Sequence, residues 1–135
     1  MSIKSSILFI CIIIFLSCSD DDSATNPEEI PDCTGDVEIS VSSGTTPTFS
    51  WTPECKIFFL LVEPAESGTD LWSIITEGSN SISPGVKYGE VPEGAQERFG
   101  AVELVVGNQY KVVLYRYTGP DPQDGSLVGI KNFVP

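Results

Sequence analysis

Apolar and polar side chains alternate along most of the chain after residue 36, and this two-residue period predicts strands rather than helices. Tyr110, Val112 and Leu114, for example, share one face of a predicted strand at 110–115, while the residues between them take the other face. Gly107 and Asn108 are turn-forming residues immediately before it. A tyrosine at this position can bury its ring and return its hydroxyl to the backbone of the preceding corner. The stretch therefore predicts a corner followed by a half-buried strand.

The same reasoning predicts six further strands. They are expected at residues 36–42, 48–52, 56–63, 70–76, 101–105 and 127–134. The segment 56–63 is apolar on both faces, which predicts a central position in a sheet. Residues 77–100 are the least regular stretch, and we expect a long excursion there with one or two short edge strands. No stretch keeps a helical period over three turns, so the predicted fold class is all-β.

The N terminus has the features of an export signal. Lys4 provides one positive charge, and residues 7–16 form an apolar run that is too short to cross a bilayer comfortably. The run ends just before Cys18 in a motif that resembles the bacterial lipobox, whose cysteine receives diacylglycerol after cleavage. The resemblance implies that residues 1–17 are a lipoprotein signal peptide and that Cys18 carries the lipid. An uncleaved anchor or an ordinary secretory peptide is the alternative.

A run of acidic residues follows the predicted lipid site. Asp20, Asp21 and Asp22 resemble the acidic export signal of surface lipoproteins of the Bacteroidota type. That resemblance implies a location on the outer face of the outer membrane. A solvated acidic spacer without a receptor, on a protein at the periplasmic face, is the alternative. Residues 18–32 as a whole are polar and are predicted to form a disordered acidic tether with a reach on the order of 20 Å.

The four cysteines divide into three groups. Cys11 leaves with the signal peptide and Cys18 is the lipid site, so Cys33 and Cys55 remain as a pair in an oxidising compartment. A hairpin of the first two strands brings these two residues to the same end of the domain. We therefore predict a Cys33–Cys55 disulfide. A zinc site is a poor alternative, because two thiolates without histidine leave the ion under-ligated.

Charge and composition narrow the function classes. The chain has 7 basic and 19 acidic residues, and loss of Lys4 with the signal peptide leaves a net charge of −13. Nucleic-acid binding is not expected, because phosphates need clusters of Lys and Arg. The chain contains no histidine, no glycine-rich phosphate loop before a helix and no nucleophile elbow. Asp121 and Asp124 could ligate calcium, but turn formation explains them. We expect no catalytic residue, no cofactor and no bound metal.

Two stretches of residues 33–135 resemble the fibronectin type III module and its immunoglobulin-like relatives. Residues 47–53 look like that family's second strand with its core tryptophan, here Trp51. A corner pattern looks like the approach to its sixth strand: Leu104, Gly107, Tyr110, Val112 and Leu114. The resemblance implies a single antiparallel β-sandwich, with Trp51 and Tyr110 in structural roles. Residues 77–100 are longer than the family's usual connection.

These features favour a non-catalytic module displayed for protein or cell-surface interaction, with a monomeric domain and an unidentified protein or glycan partner. Glycan binding is the alternative, and it would use Trp72 and Tyr88 as a stacking platform. A small carboxylate-dependent hydrolase is the third hypothesis. Tyr115 and Tyr117 flank Arg116 and would form an aromatic and basic patch if solvated, but we expect a neighbouring strand to cover them.

The predicted disulfide also orients the domain. It pins the start of the first strand to residues 53–55, so the tether and the loop 119–125 are expected at one pole, called here the tether pole. The opposite pole, called the distal pole, carries the loops 43–47, 64–69 and 106–108. We expect a partner first at the distal pole or on residues 77–100.

Overall fold

A computed structural model describes residues 27–121 and 124–135. The predicted signal peptide, the lipid site Cys18 and the acidic residues Asp20, Asp21 and Asp22 lie outside the described residues. In the described part the protein is all-β, with no helix and therefore none that could cross a bilayer. The strands are β1 (Glu38–Val41), β2 (Thr48–Thr52), β3 (Phe59–Pro64), β4 (Trp72–Ile75), β5 (Val86–Lys87), β6 (Gln96–Phe99), β7 (Tyr110–Tyr117) and β8 (Gly125–Phe133).

The strands form two antiparallel sheets, as a β-sandwich does. One sheet has the order β1-β2-β5 and the other has the order β6-β4-β3-β7-β8. Their inner faces meet in a single apolar core, where Phe49 of β2 contacts Phe133 of β8 edge-on with ring centroids 5.6 Å apart. Burial of large side chains from both sheets supplies most of the stabilisation, at about 25 cal/mol per Å² of apolar surface removed from water.

Several predictions about the strands are confirmed. The two-sided apolar segment forms β3, which lies between β4 and β7 and is central in its sheet. The first two predicted strands form the β1–β2 hairpin, and Cys33 and Cys55 are disulfide-bonded at its open end. Trp51 is buried beside this bond, where its Nε1 donates to the carbonyl oxygen of Cys55 at 2.8 Å. Trp51 is therefore a core residue, as predicted.

The prediction of a strand at residues 101–105 is wrong. The segment is irregular, and Val102 and Val105 are exposed while Leu104 alone enters the core. Its backbone is held by two tyrosine side chains in place of a strand partner. The Tyr88 hydroxyl donates to the carbonyl oxygen of Val102 at 2.7 Å, and the Tyr110 hydroxyl accepts from the Val105 N–H at 2.9 Å. The alternating pattern misled the prediction because these hydrogen bonds remove the need for a ladder.

The two edge strands instead come from residues 77–100, as the prediction for that excursion allowed. β5 pairs with β2 at the edge of the three-stranded sheet, and β6 pairs with β4 at the edge of the five-stranded sheet. All four residues of β6 are exposed, and two of them, Glu97 and Arg98, are charged. Charged side chains on an exposed edge oppose unwanted pairing with other strands.

The last residues of the predicted tether contact the domain. The Lys56 N–H donates to the carbonyl oxygen of Pro31 at 2.7 Å, and Asp32 forms a parallel bridge with Lys56. The Lys56 ammonium also lies 3.4 Å from the Glu29 carboxylate. The chain is therefore attached to the tether pole from about Glu29 onward.

Candidate binding face

The outward side of the five-stranded sheet is unusually apolar. Leu60, Val62 and Ile74 are fully buried in the core, so the residues between them along β3 and β4 point away from it. Residues that lie opposite each other in neighbouring strands share a face, and the register therefore extends this outward set across the sheet. We call the set the outer apolar face: Phe58, Phe59, Leu61, Ile75, Phe99, Val113, Tyr115, Tyr117, Leu127 and Ile130.

Antiparallel sheets that pack on one side normally carry polar residues on the other. Here Phe99 and Leu127 are each 47% exposed and Ile130 is 55% exposed. Five strands about 4.8 Å apart make the face roughly 20 Å wide. An exposed apolar area of this kind marks an interaction surface more often than isolated surface residues do.

Charged residues of the outward side are confined to one end of the face. Glu63 and Lys111 occupy paired positions in β3 and β7, and their carboxylate and ammonium groups are 2.9 Å apart. Both side chains are mostly buried, so the pair neutralises itself at the distal end of the sheet. The centre of the outer apolar face therefore carries no net charge, although the protein as a whole is strongly acidic.

Four aromatic rings form a continuous series on this face. Phe59 lies 5.7 Å from Tyr115 and 6.1 Å from Phe58, and Phe58 lies 5.8 Å from Tyr117, measured between ring centroids. The expectation that a strand covers Tyr115 and Tyr117 is wrong, because β8 lies beside them and both rings stay half-exposed. Arg116 points to the opposite side and donates to the carbonyl oxygen of Cys33 at 3.3 Å, so the predicted aromatic and basic patch does not form.

A cleft of about 400 Å³ opens at the tether-pole end of the outer apolar face. Its apolar walls include Phe58, Ile75 and Tyr117, and its polar groups include Glu77 and Gln96. The Gln96 amide donates to Oε1 of Glu77 at 3.1 Å, which fixes the carboxylate at the rim. We call this the aromatic cleft. It combines two ring faces with a single acidic group.

The proposed stacking platform of Trp72 and Tyr88 is wrong. Trp72 is completely buried and Tyr88 is 5% exposed, and the two rings contact each other edge-on at 5.1 Å. The indole Nε1 of Trp72 donates to Oε2 of Glu97 at 3.1 Å, and the Tyr88 hydroxyl donates to the carbonyl oxygen of Val102. Burial raises the pKa of Tyr88 to about 12. Both residues serve the core, because each has found a partner for its one polar group.

The arrangement of the two poles matches the prediction. At the tether pole, the Asn80 amide donates to Oδ2 of Asp32 at 3.1 Å and to the carbonyl oxygen of Tyr117 at 3.3 Å. This links the N-terminal segment to the end of β7, where the loop 118–124 begins. At the distal pole, the Ala65 N–H donates to the carbonyl oxygen of Gln109 at 3.0 Å, which brings the loops 64–69 and 106–108 together.

The distal pole is a second candidate surface. A cleft of about 480 Å³ there has Glu66 and Glu103 in its lining, and Val105 and Val106 are exposed nearby. The two carboxylates are the acidic pair of this cleft that the hydrolase hypothesis could use. Both residues are exposed, however, whereas a catalytic acid needs a sheltered site that raises its pKa. No group of three or more potential metal ligands occurs within residues 27–121 and 124–135.

The outer apolar face had a signal in the sequence that the prediction did not use. Residues 56–63 are apolar on both faces, and this was interpreted only as a sign of a central strand. The outward residues Phe59 and Leu61 are the evidence of a second apolar surface. Alternation alone does not reveal whether such a surface is covered by the same chain or by another molecule.

No protein-family model, curated protein or solved structure matches this chain. Its function is therefore argued from the fold, the outer apolar face and the two clefts.

Proposed function

We propose that the protein is an outer-membrane lipoprotein, anchored through lipid on Cys18 and exposed at the cell surface, that binds another protein. Its non-catalytic domain, a fibronectin type III-like β-sandwich, presents the binding surface. The observation that carries the binding proposal is the outer apolar face, whose exposed aliphatic and aromatic residues span a five-stranded sheet. The lipobox resemblance supports the anchor, and the all-β architecture with two sheets supports the domain type.

The chemistry of the face favours a protein partner. An uncharged apolar centre with polar groups at its ends is typical of the buried core of protein–protein interfaces. A sugar-binding platform needs exposed aromatic rings with hydrogen-bonding groups around them. The rings of Phe59 and Tyr115 have aliphatic neighbours instead, namely Ile75 and Leu127 at paired positions. Trp72 and Tyr88, the residues of the glycan hypothesis, are buried in the core.

The position of the anchor relative to the face supports a partner in the same membrane. The free chain between Cys18 and Glu29 would reach on the order of 20 Å. Its attachment beside Lys56 turns the tether pole toward the membrane. The outer apolar face then lies along the side of the domain, where a neighbouring membrane-anchored protein can approach it.

Site-specific photocrosslinking on intact cells tests the binding proposal. A photoreactive residue replaces Leu127 or Ile130 on the outer apolar face, or Ser40 as an exposed control on β1 of the other sheet. We expect both face positions to give the same adduct, with one partner identified by mass spectrometry, and the control to give none. Equal adducts from Ser40, or no adduct from either face position, would contradict the proposal.

The anchor and its location are tested separately. We expect metabolically supplied radiolabelled palmitate to enter the wild-type protein and to be absent from Cys18→Ser. Protease added to intact cells should remove the domain if it faces outward. Protection of the domain until the outer membrane is opened would assign it to the periplasmic face instead.

A further inference from the structure

We propose that the aromatic cleft binds an arginine side chain of the partner protein. This inference rests on the proposed protein-binding function, and it names the group that the tether-pole end of the outer apolar face would recognise. Its basis is the charge and shape of the cleft: two aromatic walls, one fixed carboxylate and no basic residue in the lining.

The carboxylate is positioned for a second hydrogen-bonding partner. The Gln96 amide holds Oε1 of Glu77, while Oε2 has no hydrogen-bond donor among the described residues. Glu77 is exposed, so a cationic group from solvent can reach it. A guanidinium can donate to such a carboxylate with directed N–H groups, and these charge-assisted hydrogen bonds are stronger than neutral ones.

The walls of the cleft favour guanidinium over ammonium. Phe58 and Tyr117 are 5.8 Å apart between centroids and are inclined at 60°, so they form an angled pair of ring surfaces. A planar guanidinium stacks on aromatic rings and is weakly hydrated, whereas the lysine ammonium is compact and strongly hydrated. The apolar side chain of Ile75 can contact the methylene groups of the arginine stem.

The surroundings of the cleft also favour a cation. Lys56, the basic residue of the adjoining polar cleft, is 3.4 Å from Glu29, and Arg116 is directed to the carbonyl oxygen of Cys33. Asp121 and Asp124 lie in the loop that follows Tyr117. The acidic groups at this end of the sheet therefore exceed the basic groups available to pair with them, and an arginine from a partner corrects the imbalance.

Titration with small ligands tests the cleft without the partner. The purified protein is titrated with Nα-acetyl-arginine amide, with the uncharged isostere Nα-acetyl-citrulline amide and with N-acetylglucosamine. Binding is followed by the NMR signals of the Tyr117 and Phe58 rings. A ligand of this size should bind with a Kd on the order of 1 mM. We expect the arginine compound to shift these signals and the citrulline compound to bind roughly tenfold more weakly.

Two charge variants decide whether Glu77 is the receptor. Glu77→Gln should weaken arginine binding roughly tenfold, whereas Glu66→Gln, which makes the same charge change at the distal pole, should leave it unchanged. Thermal unfolding of both variants checks that they remain folded. Equal binding of arginine and citrulline, loss of binding in Glu66→Gln, or shifts caused only by the sugar would overturn the assignment.

Photocrosslinking from Ile130 separates this inference from the function on which it rests. If the Ile130 adduct forms and the arginine compound does not bind, the outer apolar face is an interface and the cleft assignment is wrong. If arginine binds and the adduct is absent, the cleft recognises the cation and the proposed protein interface is wrong.

Discussion

The phenol oxygen of Tyr110 accepts a hydrogen bond from the backbone N–H of Val105, five residues earlier, at 2.9 Å. The Tyr110 ring is buried against Phe133 with centroids 5.8 Å apart, so the side chain joins the corner to the core. Gly107 has a φ of 87° in the turn between them, a backbone conformation that glycine adopts without strain. The corner, the ring and the turn residue act together to start β7.

Replacing Tyr110 by Phe should therefore destabilise the domain without altering its binding surfaces. The change keeps the ring and removes only the acceptor of the Val105 N–H, which should lower the free energy of unfolding by about 1–3 kcal/mol. Urea unfolding measures this loss. Tyr115→Phe is the matched control, because it removes the same atom from a half-exposed ring and should have little effect. A Tyr110→Phe protein of normal stability that loses its partner would show that the corner belongs to the binding site.

Tyr88 predicts a loss of stability in alkali. Burial raises the pKa of its hydroxyl to about 12, whereas the same group in the unfolded chain titrates near 10. Between these values the unfolded state releases the proton and the folded state retains it. The contribution of Tyr88 is thus fully present below pH 10 and is lost as the pH rises toward 12. The slope for one such group is about −1.4 kcal/mol per pH unit.

Urea unfolding of the wild type and of Tyr88→Phe at pH 7 to 12 checks this dependence. The variant lacks the titrating hydroxyl, so its stability should fall less steeply above pH 10. At pH 7 it should be weaker than the wild type by about 0.5–1.5 kcal/mol, because the hydrogen bond to Val102 is lost. Parallel curves above pH 10 would show that other tyrosines dominate the alkaline transition.

The Cys33–Cys55 bond should contribute substantially to stability. It joins residues 22 positions apart, and closing a loop of that length stabilises the folded state by about 3 kcal/mol in the chain-entropy account. We expect dithiothreitol to lower the urea midpoint of the wild type toward that of the Cys33→Ser, Cys55→Ser double variant. The double variant is its own control, since reductant should leave its midpoint unchanged. A wild-type midpoint insensitive to full reduction would contradict this contribution.

The sequence-based prediction succeeded where a local pattern had one physical explanation. Val112 and Leu114 alternate because one face of β7 is buried, and Trp51 lies in the core because its hairpin is covered by the second sheet. The pattern failed at residues 101–105, where Tyr88 and Tyr110 hold the backbone from outside the segment. Such long-range hydrogen bonds leave no mark in a local period.

The candidate site was harder to predict than the fold. Trp72 was proposed as a binding aromatic, but Glu97 satisfies its indole N–H inside the domain, 25 residues away in the chain. The residues that do face outward, such as Tyr115 and Ile130, read as ordinary strand residues. Their exposure depends on what lies over the sheet, and this is a property of the whole arrangement.

The outer apolar face gives the last prediction. Ile130 is 55% exposed and Val128, two residues earlier on β8, is 2% exposed, so lysine should have opposite effects at the two positions. Ile130→Lys should change the free energy of unfolding by less than about 0.5 kcal/mol. Val128→Lys places a charge in the core and should prevent stable folding. Circular dichroism with urea unfolding distinguishes the two outcomes.

The same Ile130→Lys change should abolish the adduct from a photoreactive residue at Leu127, because a charged group at the centre of an apolar interface must be desolvated without a partner. Val106→Lys is the control, since Val106 is 73% exposed at the distal pole and should leave that adduct intact. The pair of variants separates the two candidate surfaces. An adduct that survives Ile130→Lys and disappears with Val106→Lys would move the binding site from the outer apolar face to the distal pole.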